Sequence, residues 1–356
     1  MKIREVRIRN FRNFGPNAGA VSFVDTLTQQ VRPLSVLVGS NGCGKTTVLD
    51  VIKGLLETVH QSGELLPQDI GDEIARTGYA HVDIDFTHQN ASERILGIPV
   101  PVRIQSGRTE HAPADAPAVT ADAVLKPRPM DGRSRTYSPN WHATLSAWVD
   151  AMTKGDEPLR GGLMYFPHRR WVTYEEKGSI KEPDQARHWH YRFRKNSAWT
   201  NSLSQLWVWQ NYLDLEQGRE GRPNLAPFVE AIEMILGRGR RVVIRSGRVY
   251  IEQPGREPVQ PHQLPSGEQQ ILTLFGEIIR QIRPGGVLII DEVEISLHPA
   301  LQRVVLHHLR QLAARYDLQI ILTTHSMEIV AAVAADELVN LDDMVLQERA
   351  QSGSAQ

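Results

Sequence analysis

Residues 39–46, Gly39-Ser-Asn-Gly-Cys-Gly-Lys45-Thr46, follow the pattern G-x-x-x-x-G-K-[ST]. Before them, Val36 to Val38 form an apolar run typical of a buried parallel strand. After them, residues 46–56 carry an apolar stripe at helical spacing. A strand, a glycine-rich loop and a helix in this order predict that backbone N–H groups cradle phosphate at the positive end of the helix dipole. A chance match in a glycine-rich turn is the alternative, and the flanking segments disfavour it.

The loop has the residue types that hold a nucleoside triphosphate. Lys45 is expected to reach the β- and γ-phosphates, and the Thr46 hydroxyl is expected to ligate Mg²⁺. We therefore predict ATP with Mg²⁺ as the bound cofactor. The predicted contacts in this segment are Gly39, Ser40, Asn41, Gly42, Cys43, Gly44, Lys45, Thr46 and Thr47.

Two further apolar runs end in groups suited to phosphate chemistry. Val287 to Ile290 lead into Asp291 and Glu292, so we expect Asp291 to help hold Mg²⁺ and Glu292 to deprotonate an attacking water. Adjacent acids could instead mark only a helix start. The run 318–324 ends at His325, which would then lie at the carboxyl edge of the same sheet and contact the γ-phosphate.

A third signal is the segment Leu264-Pro-Ser266-Gly267-Glu268-Gln269-Gln270. We expect Ser266 to cap the following helix and Gln269 to complete a capping box. Serine and glycine at a helix N-terminus favour anion binding, although an ordinary capped helix has the same pattern. The helix itself is predicted from an apolar stripe of Ile271, Leu274, Phe275, Ile278 and Ile282.

Taken together, these segments resemble the ABC-type ATPase heads of the RecF/SMC/OLD group. The residue pattern Asp-Glu-x-Glu-x-x-Leu-His-Pro at 291–299 is most similar to OLD-type ATPases and to ATPase subunits of anti-phage systems such as Septu and PARIS. The resemblance covers both ends of the chain but not its middle. It places Walker A at 39–46, the signature motif at 264–270, Walker B at 287–292, a D-loop from Glu294-Ile-Ser-Leu-His298-Pro299 onward, and a switch histidine at His325.

The resemblance implies an α/β fold of the P-loop, ABC-ATPase type. It has a mixed or parallel central sheet, an antiparallel subdomain and an inserted helical lobe. It also implies a homodimer with ATP sandwiched between two heads, in which Ser266, Gly267 and Glu268 of one protomer close on the γ-phosphate held by Lys45 of the other. In this group the counterpart of Glu292 is the general base. We assign no residue to the γ-phosphate-sensing glutamine loop.

Organisation along the chain is expected to follow these motifs. We divide it into an N-terminal nucleotide-binding half (1–170), with a loop or insertion near 105–140, a helical lobe carrying the signature motif (171–284), and a C-terminal nucleotide-binding half (285–356). Helices are predicted at 141–152, 202–216 and 227–236, and a hairpin at 242–251. Sustained heptads and zinc-ligand spacings are absent from the sequence.

Composition indicates a cytoplasmic protein. The net charge is −1, the single cysteine is Cys43, and the sequence has neither an apolar run of membrane-spanning length nor a signal peptide pattern. Cys43 could be reactive at a helix N-terminus or could simply pack. Three cation-rich segments are compatible with nucleic acid, but equally with a solvated face or a protein interface. They are residues 2–12, residues 188–195, and the arginines at 238, 240, 241, 245 and 248.

The motifs leave more than one function open. The first is an ATP-driven switch that dimerises on ATP and controls a separate effector, such as a nuclease or a toxin, in phage defence or DNA maintenance. The second is the nucleotide-binding subunit of an ABC transporter, disfavoured by the unusual signature segment. A third is a scaffold that keeps ATP bound with little hydrolysis, against which Glu292 argues.

Overall fold

The computed structural model describes residues 1–60, 70–86, 100–107, 121–125, 161–168, 170, 180–182, 190–192, 202–218, 220, 225–237 and 239–343. The strands are β1 (Lys2–Arg9), β2 (Ala20–Ser22), β3 (Leu34–Val38), β4 (Tyr79–Phe86), β5 (Val100–Gly107), β6 (Ala121–Leu125), β7 (Leu163–Phe166), β8 (His190–Arg192), β9 (Arg241–Arg245), β10 (Arg248–Glu252), β11 (Val287–Ile290), β12 (Gln319–Thr323) and β13 (Leu338–Asn340). The helices are α1 (Lys45–His60), α2 (Ile70–Thr77), α3 (Leu203–Glu216), α4 (Ala226–Leu236), α5 (Ser266–Gln281), α6 (Pro299–Tyr316) and α7 (Met327–Val330).

A six-stranded sheet in the order β13–β3–β12–β11–β7–β8 forms the centre, and each neighbouring pair is parallel. The inner strands β3, β12, β11 and β7 are uninterrupted or nearly uninterrupted buried runs, as expected for a parallel sheet covered on both faces. Their order differs from chain order, so distant segments finish side by side. The predicted phosphate loop, the Asp-Glu pair and His325 therefore follow neighbouring strands at one edge.

Alternate residues of the central strands divide the interior into two cores. On one face, Leu37, Ile289 and Ile321 pack with α1 and with the antiparallel sheet. On the other face, Val36 and Ile290 belong to a cluster formed with α3, α4, α5, α6 and the hairpin β9–β10. Because both faces are covered, small shifts at the sheet edge are opposed from two sides.

The antiparallel subdomain is a five-stranded sheet in the order β2–β1–β4–β5–β6, in which only β5 and β6 run parallel. Val6 and Ile8 of β1 are fully buried in the first core, as their alternation with arginines predicts. On the opposite face, Arg103 donates two hydrogen bonds to Asp83 at 2.7 and 2.6 Å. This bidentate pair is buried and joins β4 to β5.

The helical lobe is built as its sequence predicts. Ser202 caps α3, since its hydroxyl accepts a hydrogen bond from the Gln205 N–H at 3.0 Å. Asp214 near the end of α3 accepts from the Leu225 N–H at 3.0 Å, which ties α3 to the start of α4. The lobe packs on the central sheet through the second core. These features confirm the predicted α/β P-loop fold with an antiparallel subdomain and a helical lobe.

One prediction about the middle of the chain is wrong. The segment predicted as a loop or insertion contains strand structure, because residues 105–107 finish β5 and residues 121–125 form β6 beside it. The sequence of β6, Ala-Asp-Ala-Val-Leu, holds one β-branched residue, so its propensity signal is weak and the pairing depends on the neighbouring strand. The predicted helix at 141–152 lies outside the described residues, as do Arg238 and the ends of 188–195.

Candidate nucleotide site

The glycine-rich loop joins β3 to α1 in the conformation that its glycines allow. Gly39, Gly42 and Gly44 have φ of 145°, 82° and 107°, which side chains rarely adopt. At Gly44 a Cβ atom would also lie 2.7 Å from Cε2 of Phe14. The turn leads directly into the start of α1, and a glycine-rich turn at a helix N-terminus is the arrangement that binds phosphate.

Lys45 lies folded over this loop. Its Nζ donates hydrogen bonds to the carbonyl oxygens of Gly39 and Ser40 at 2.8 and 3.0 Å, and the side chain is buried. Cys43 is also buried, and its Sγ would be 2.7 Å from a Cβ on Gly39, so the thiol packs beneath the turn. An ammonium satisfied by loop carbonyls can exchange them for phosphate oxygens, so the residues fit a nucleotide.

Asp342, which the sequence analysis did not single out, anchors the loop from the opposite end of the chain. It follows β13 and accepts hydrogen bonds from the N–H and the hydroxyl of Ser40, both at 2.7 Å. These two donors, the hydroxyl first, lower the pKa of the Asp342 carboxyl below its usual 3.8. The pairing β13–β3 decides this contact, and no local pattern signals it.

Asp291 and Glu292 follow β11 and are held by the next strand. The Thr323 hydroxyl donates to Oδ1 of Asp291 and accepts from the Glu292 N–H, both at 2.7 Å. Asp291 is 1% exposed, whereas Glu292 is half-buried. A carboxylate with one oxygen fixed in this way is suited to holding a divalent cation or its water.

Residues after β7 complete this part of the site and were missed or only weakly indicated by sequence. His168 Nδ1 lies 3.6 Å from Oδ2 of Asp291. Arg170 is fully buried and donates to the carbonyl oxygens of Asp291 and Glu292 at 2.7 and 3.0 Å. Arg169, the residue before it, lies outside the described residues.

His325 is placed by Glu294, a residue of the loop after Asp291 and Glu292. Glu294 accepts hydrogen bonds from the His325 N–H at 2.6 Å and from the Thr324 hydroxyl at 2.9 Å. The His325 side chain is exposed at the sheet edge. The main chain is therefore anchored while the imidazole remains accessible to a ligand.

The predicted capping box at the start of α5 is wrong. Helix α5 begins at Ser266 itself, Pro265 occupies the cap position without a side-chain hydrogen bond, and the Gln269 amide donates to the carbonyl oxygens of His262 and Leu264. The preceding proline starts the helix one residue earlier than the pattern suggests. Ser266 is consequently exposed at the helix tip.

Gly267 and Glu268 make contacts within their own chain. A Cβ on Gly267 would lie 2.5 Å from the carbonyl oxygen of Ser296, so the helix tip abuts the loop that follows Glu292. Glu268 pairs with the buried Arg240, with Oε1 and Nη1 2.6 Å apart. Arg240 thus belongs to an internal ion pair within the predicted cation-rich cluster.

The N-terminal cation-rich segment is also largely paired. Lys2 lies 3.0 Å from Asp317, Arg4 lies 2.8 Å from Asp85, and Arg12 bridges Asp50 and Glu73 at 3.0 and 3.2 Å. Cationic side chains that already form ion pairs within the chain are less available to bind the phosphates of a nucleic acid. Among the described residues, no helix is both long and apolar enough to cross a bilayer.

Two family models match different parts of the chain. A family model described as "AAA domain, putative AbiEii toxin, Type IV TA system" matches residues 166–331, and one described as "AAA ATPase domain" matches residues 1–110. Among curated proteins, the energy-coupling factor transporter ATP-binding protein EcfA1 of Clostridium novyi (strain NT) is 38% identical over 82 residues. That alignment spans 23% of this chain and 28% of the relative's length.

Solved structures similar to the chain include SMC heads. The SMC head domain from Thermotoga maritima is 17% identical with a TM-score of 0.46, over 96% of this chain and 94% of that one. A Pyrococcus furiosus Smc head domain with an extended coiled coil, bound to the C-terminal domain of ScpA, is 14% identical with a TM-score of 0.47, over 98% and 99%. The two AAA ATPase family models match the segments that assemble the site, and the order of the motifs resembles that of RecF and SMC heads.

Proposed function

We propose that this protein binds ATP with Mg²⁺ and hydrolyses its β–γ phosphoanhydride bond, which yields ADP and phosphate. The observation that carries the proposal is the meeting of three segments at one sheet edge: the loop ending in Lys45, the pair Asp291 and Glu292, and His325. The residue types match the needs of phosphoryl transfer, which depends on positioning and on charge stabilisation. Structural scaffolds for ATP do not require a half-buried carboxylate at this position.

Each residue at the edge has a distinct role in the proposal. Lys45 leaves its two loop carbonyls and binds the β- and γ-phosphates. Thr46 and Asp291 hold Mg²⁺, which supplies charge neutralisation when bound. Glu292 accepts a proton from the attacking water, and the exposed imidazole of His325 donates a hydrogen bond to the γ-phosphate. Further contacts come from Gly39, Ser40, Asn41, Gly42, Cys43, Gly44 and Thr47 of the loop.

The active form in this proposal is a homodimer with ATP between two heads. Ser266 and Gly267 at the tip of α5 would close on the γ-phosphate bound by the other protomer, with the helix dipole contributing positive potential. The exposure of Ser266 supports this role. Glu268 would act through its ion pair with Arg240, which holds the first turn of α5 in place.

ATP-dependent closure would control a separate effector in the cytoplasm, such as a nuclease, a toxin or a nucleic-acid-processing partner. This part of the proposal rests on the motif resemblance. Phage defence or DNA maintenance is the proposed setting. Copurification of the native complex, followed by identification of bound proteins and nucleic acid, tests it.

A transporter subunit is the second candidate. It is favoured by the sequence identity to EcfA1, which extends over 23% of this chain. A nucleotide-binding subunit of that kind would bind a membrane protein rather than a free effector. Detergent extraction of the tagged native protein separates the two candidates, because recovery with a permease supports transport and recovery with a nuclease, toxin or nucleic acid supports the switch.

Hydrolysis and dimerisation are tested with Glu292→Gln and Lys45→Ala. Without the general base, Glu292→Gln should bind ATP but turn over at least about 100-fold more slowly, and light scattering should detect an ATP-dependent dimer. Lys45→Ala should lose nucleotide binding and remain monomeric under the same conditions. A Glu292→Gln variant with the wild-type rate of hydrolysis would refute the assignment of the base.

A further inference from the structure

The backbone at Glu292 has an uncommon conformation. Its φ is 48°, in the left-handed region that a residue with a side chain seldom occupies. Such a conformation is unfavourable for a residue with a side chain and persists only where the surroundings enforce it. The contacts that enforce it therefore indicate which residues control the direction of the Glu292 side chain.

Two side chains, one from β12 and one from the segment after β7, hold the backbone of Glu292 on its two sides. The Thr323 hydroxyl accepts from the Glu292 N–H at 2.7 Å. The Arg170 guanidinium donates through Nη2 to the Glu292 carbonyl oxygen at 3.0 Å, and through Nη1 to the carbonyl oxygens of Asp291 and Pro167 at 2.7 and 2.6 Å. Both polar groups of the strained residue are thus fixed by elements other than its own strand.

The burial of the charged Arg170 side chain beside Glu292 is energetically unfavourable. It is 1% exposed, and its Nε has no hydrogen-bond partner among the residues that the structure describes. Burial lowers its pKa to about 10, partly offset by Asp291 and nearby glutamates. Its direct hydrogen bonds are to main-chain carbonyls. A buried cation that binds only main-chain carbonyls suggests that the positions of these carbonyls must be fixed. The rigid fork of a guanidinium can span two successive carbonyls, whereas a lysine ammonium cannot.

We propose that Arg170 is a positioning residue for the general base: it holds Glu292 in the left-handed conformation that aims its carboxylate at the attacking water. This inference rests on the proposed function. Arg170 itself touches neither nucleotide nor water in this account and acts only through the carbonyls of residues 291 and 292. The loss caused by its removal must then depend on the presence of the Glu292 carboxylate.

A double-mutant cycle tests that dependence. ATP turnover and binding of a fluorescent ATP analogue are measured for the wild type, Arg170→Lys, Glu292→Gln and the double variant. Arg170→Lys should lower kcat at least about 10-fold, with KM and analogue affinity within about 3-fold of the wild type. In the Glu292→Gln background the same substitution should have no further effect on single-turnover hydrolysis.

Controls separate positioning from stability. Arg103→Lys alters another buried arginine, the partner of Asp83 in the antiparallel sheet, and should lower the thermal midpoint without a specific loss of kcat. If Arg170→Lys does not yield folded protein, Arg170→Gln removes the buried charge, retains one donor, and is carried through the same cycle.

The outcomes distinguish this inference from the proposed function. Additive losses in the double variant, an unchanged kcat in the Arg170 variant, or a raised KM at constant kcat would each overturn the positioning role. Wild-type turnover by Glu292→Gln would instead remove the base assignment on which the inference rests. Slow turnover by Glu292→Gln combined with additive losses leaves the proposed function standing and refutes only the role of Arg170.

Discussion

Replacing Gly267 with alanine tests whether the tip of α5 is fixed to the loop after Glu292. Alanine is the better helix former by up to about 1 kcal/mol, so Gly267→Ala would stabilise an ordinary helix N-terminus. Here the added methyl would lie 2.5 Å from the Ser296 carbonyl oxygen. The predicted sign is therefore the opposite, and a loss of stability is expected.

The size of the loss follows from the contact. Ordinary carbon–oxygen contacts begin near ~3.3 Å, so helix tip and loop must separate by about 0.8 Å. Ser296 has φ of 61°, which leaves its backbone little freedom to adjust. Overpacking of this kind costs about 1–3 kcal/mol, and subtracting a propensity gain of about 1 kcal/mol leaves a net loss of up to about 2 kcal/mol. For a chain of 356 residues, the corresponding fall in the thermal midpoint is up to about 3 °C.

Thermal and urea unfolding measure this effect, with Gly276→Ala on the same helix as the matched control. A Cβ on Gly276 would lie 2.3 Å from Leu203 Cδ2, the end of a flexible side chain that can rotate away. ATP turnover is measured in parallel, and only Gly267→Ala should reduce it, because it displaces the loop that begins at Glu292. A thermal midpoint that rises in Gly267→Ala would refute the reasoning.

Two further predictions concern buried and exposed carboxylates. Arg103→Met leaves Asp83 buried without its bidentate partner and should lower the free energy of unfolding, measured in urea, by about 3–5 kcal/mol. Arg103→Met combined with Asp83→Leu should recover most of that loss. Equal stability of the single and double variants would contradict this. The lowered pKa of Asp342 means that its contribution to stability is complete above its usual value of 3.8 and is lost as pH falls through the folded-state value. Asp342→Asn should therefore show a shallower loss of thermal midpoint below about pH 4, and identical acid profiles would count against the anchor.

The sequence alone was enough to predict most of the elements that carry the site. The loop 39–46 has glycines where positive φ is needed, and the apolar runs before Asp291 and His325 are typical of strands buried on both faces. These signals are local, because each depends on residue types within a few positions of one another. Strand β6 was missed since its sequence has little intrinsic preference for a strand.

Only the tertiary structure shows which side-chain contacts join these segments. The contacts of Asp342 with Ser40, of Thr323 with Asp291 and Glu292, and of Arg170 with two main-chain carbonyls join residues far apart in the chain. No periodicity or motif encodes such pairs, because they arise from the order of strands in the sheet and from which side chains share an edge. The sequence determined the chemical groups available for ATP, and the packing of β3, β12, β11 and β7 determined their arrangement.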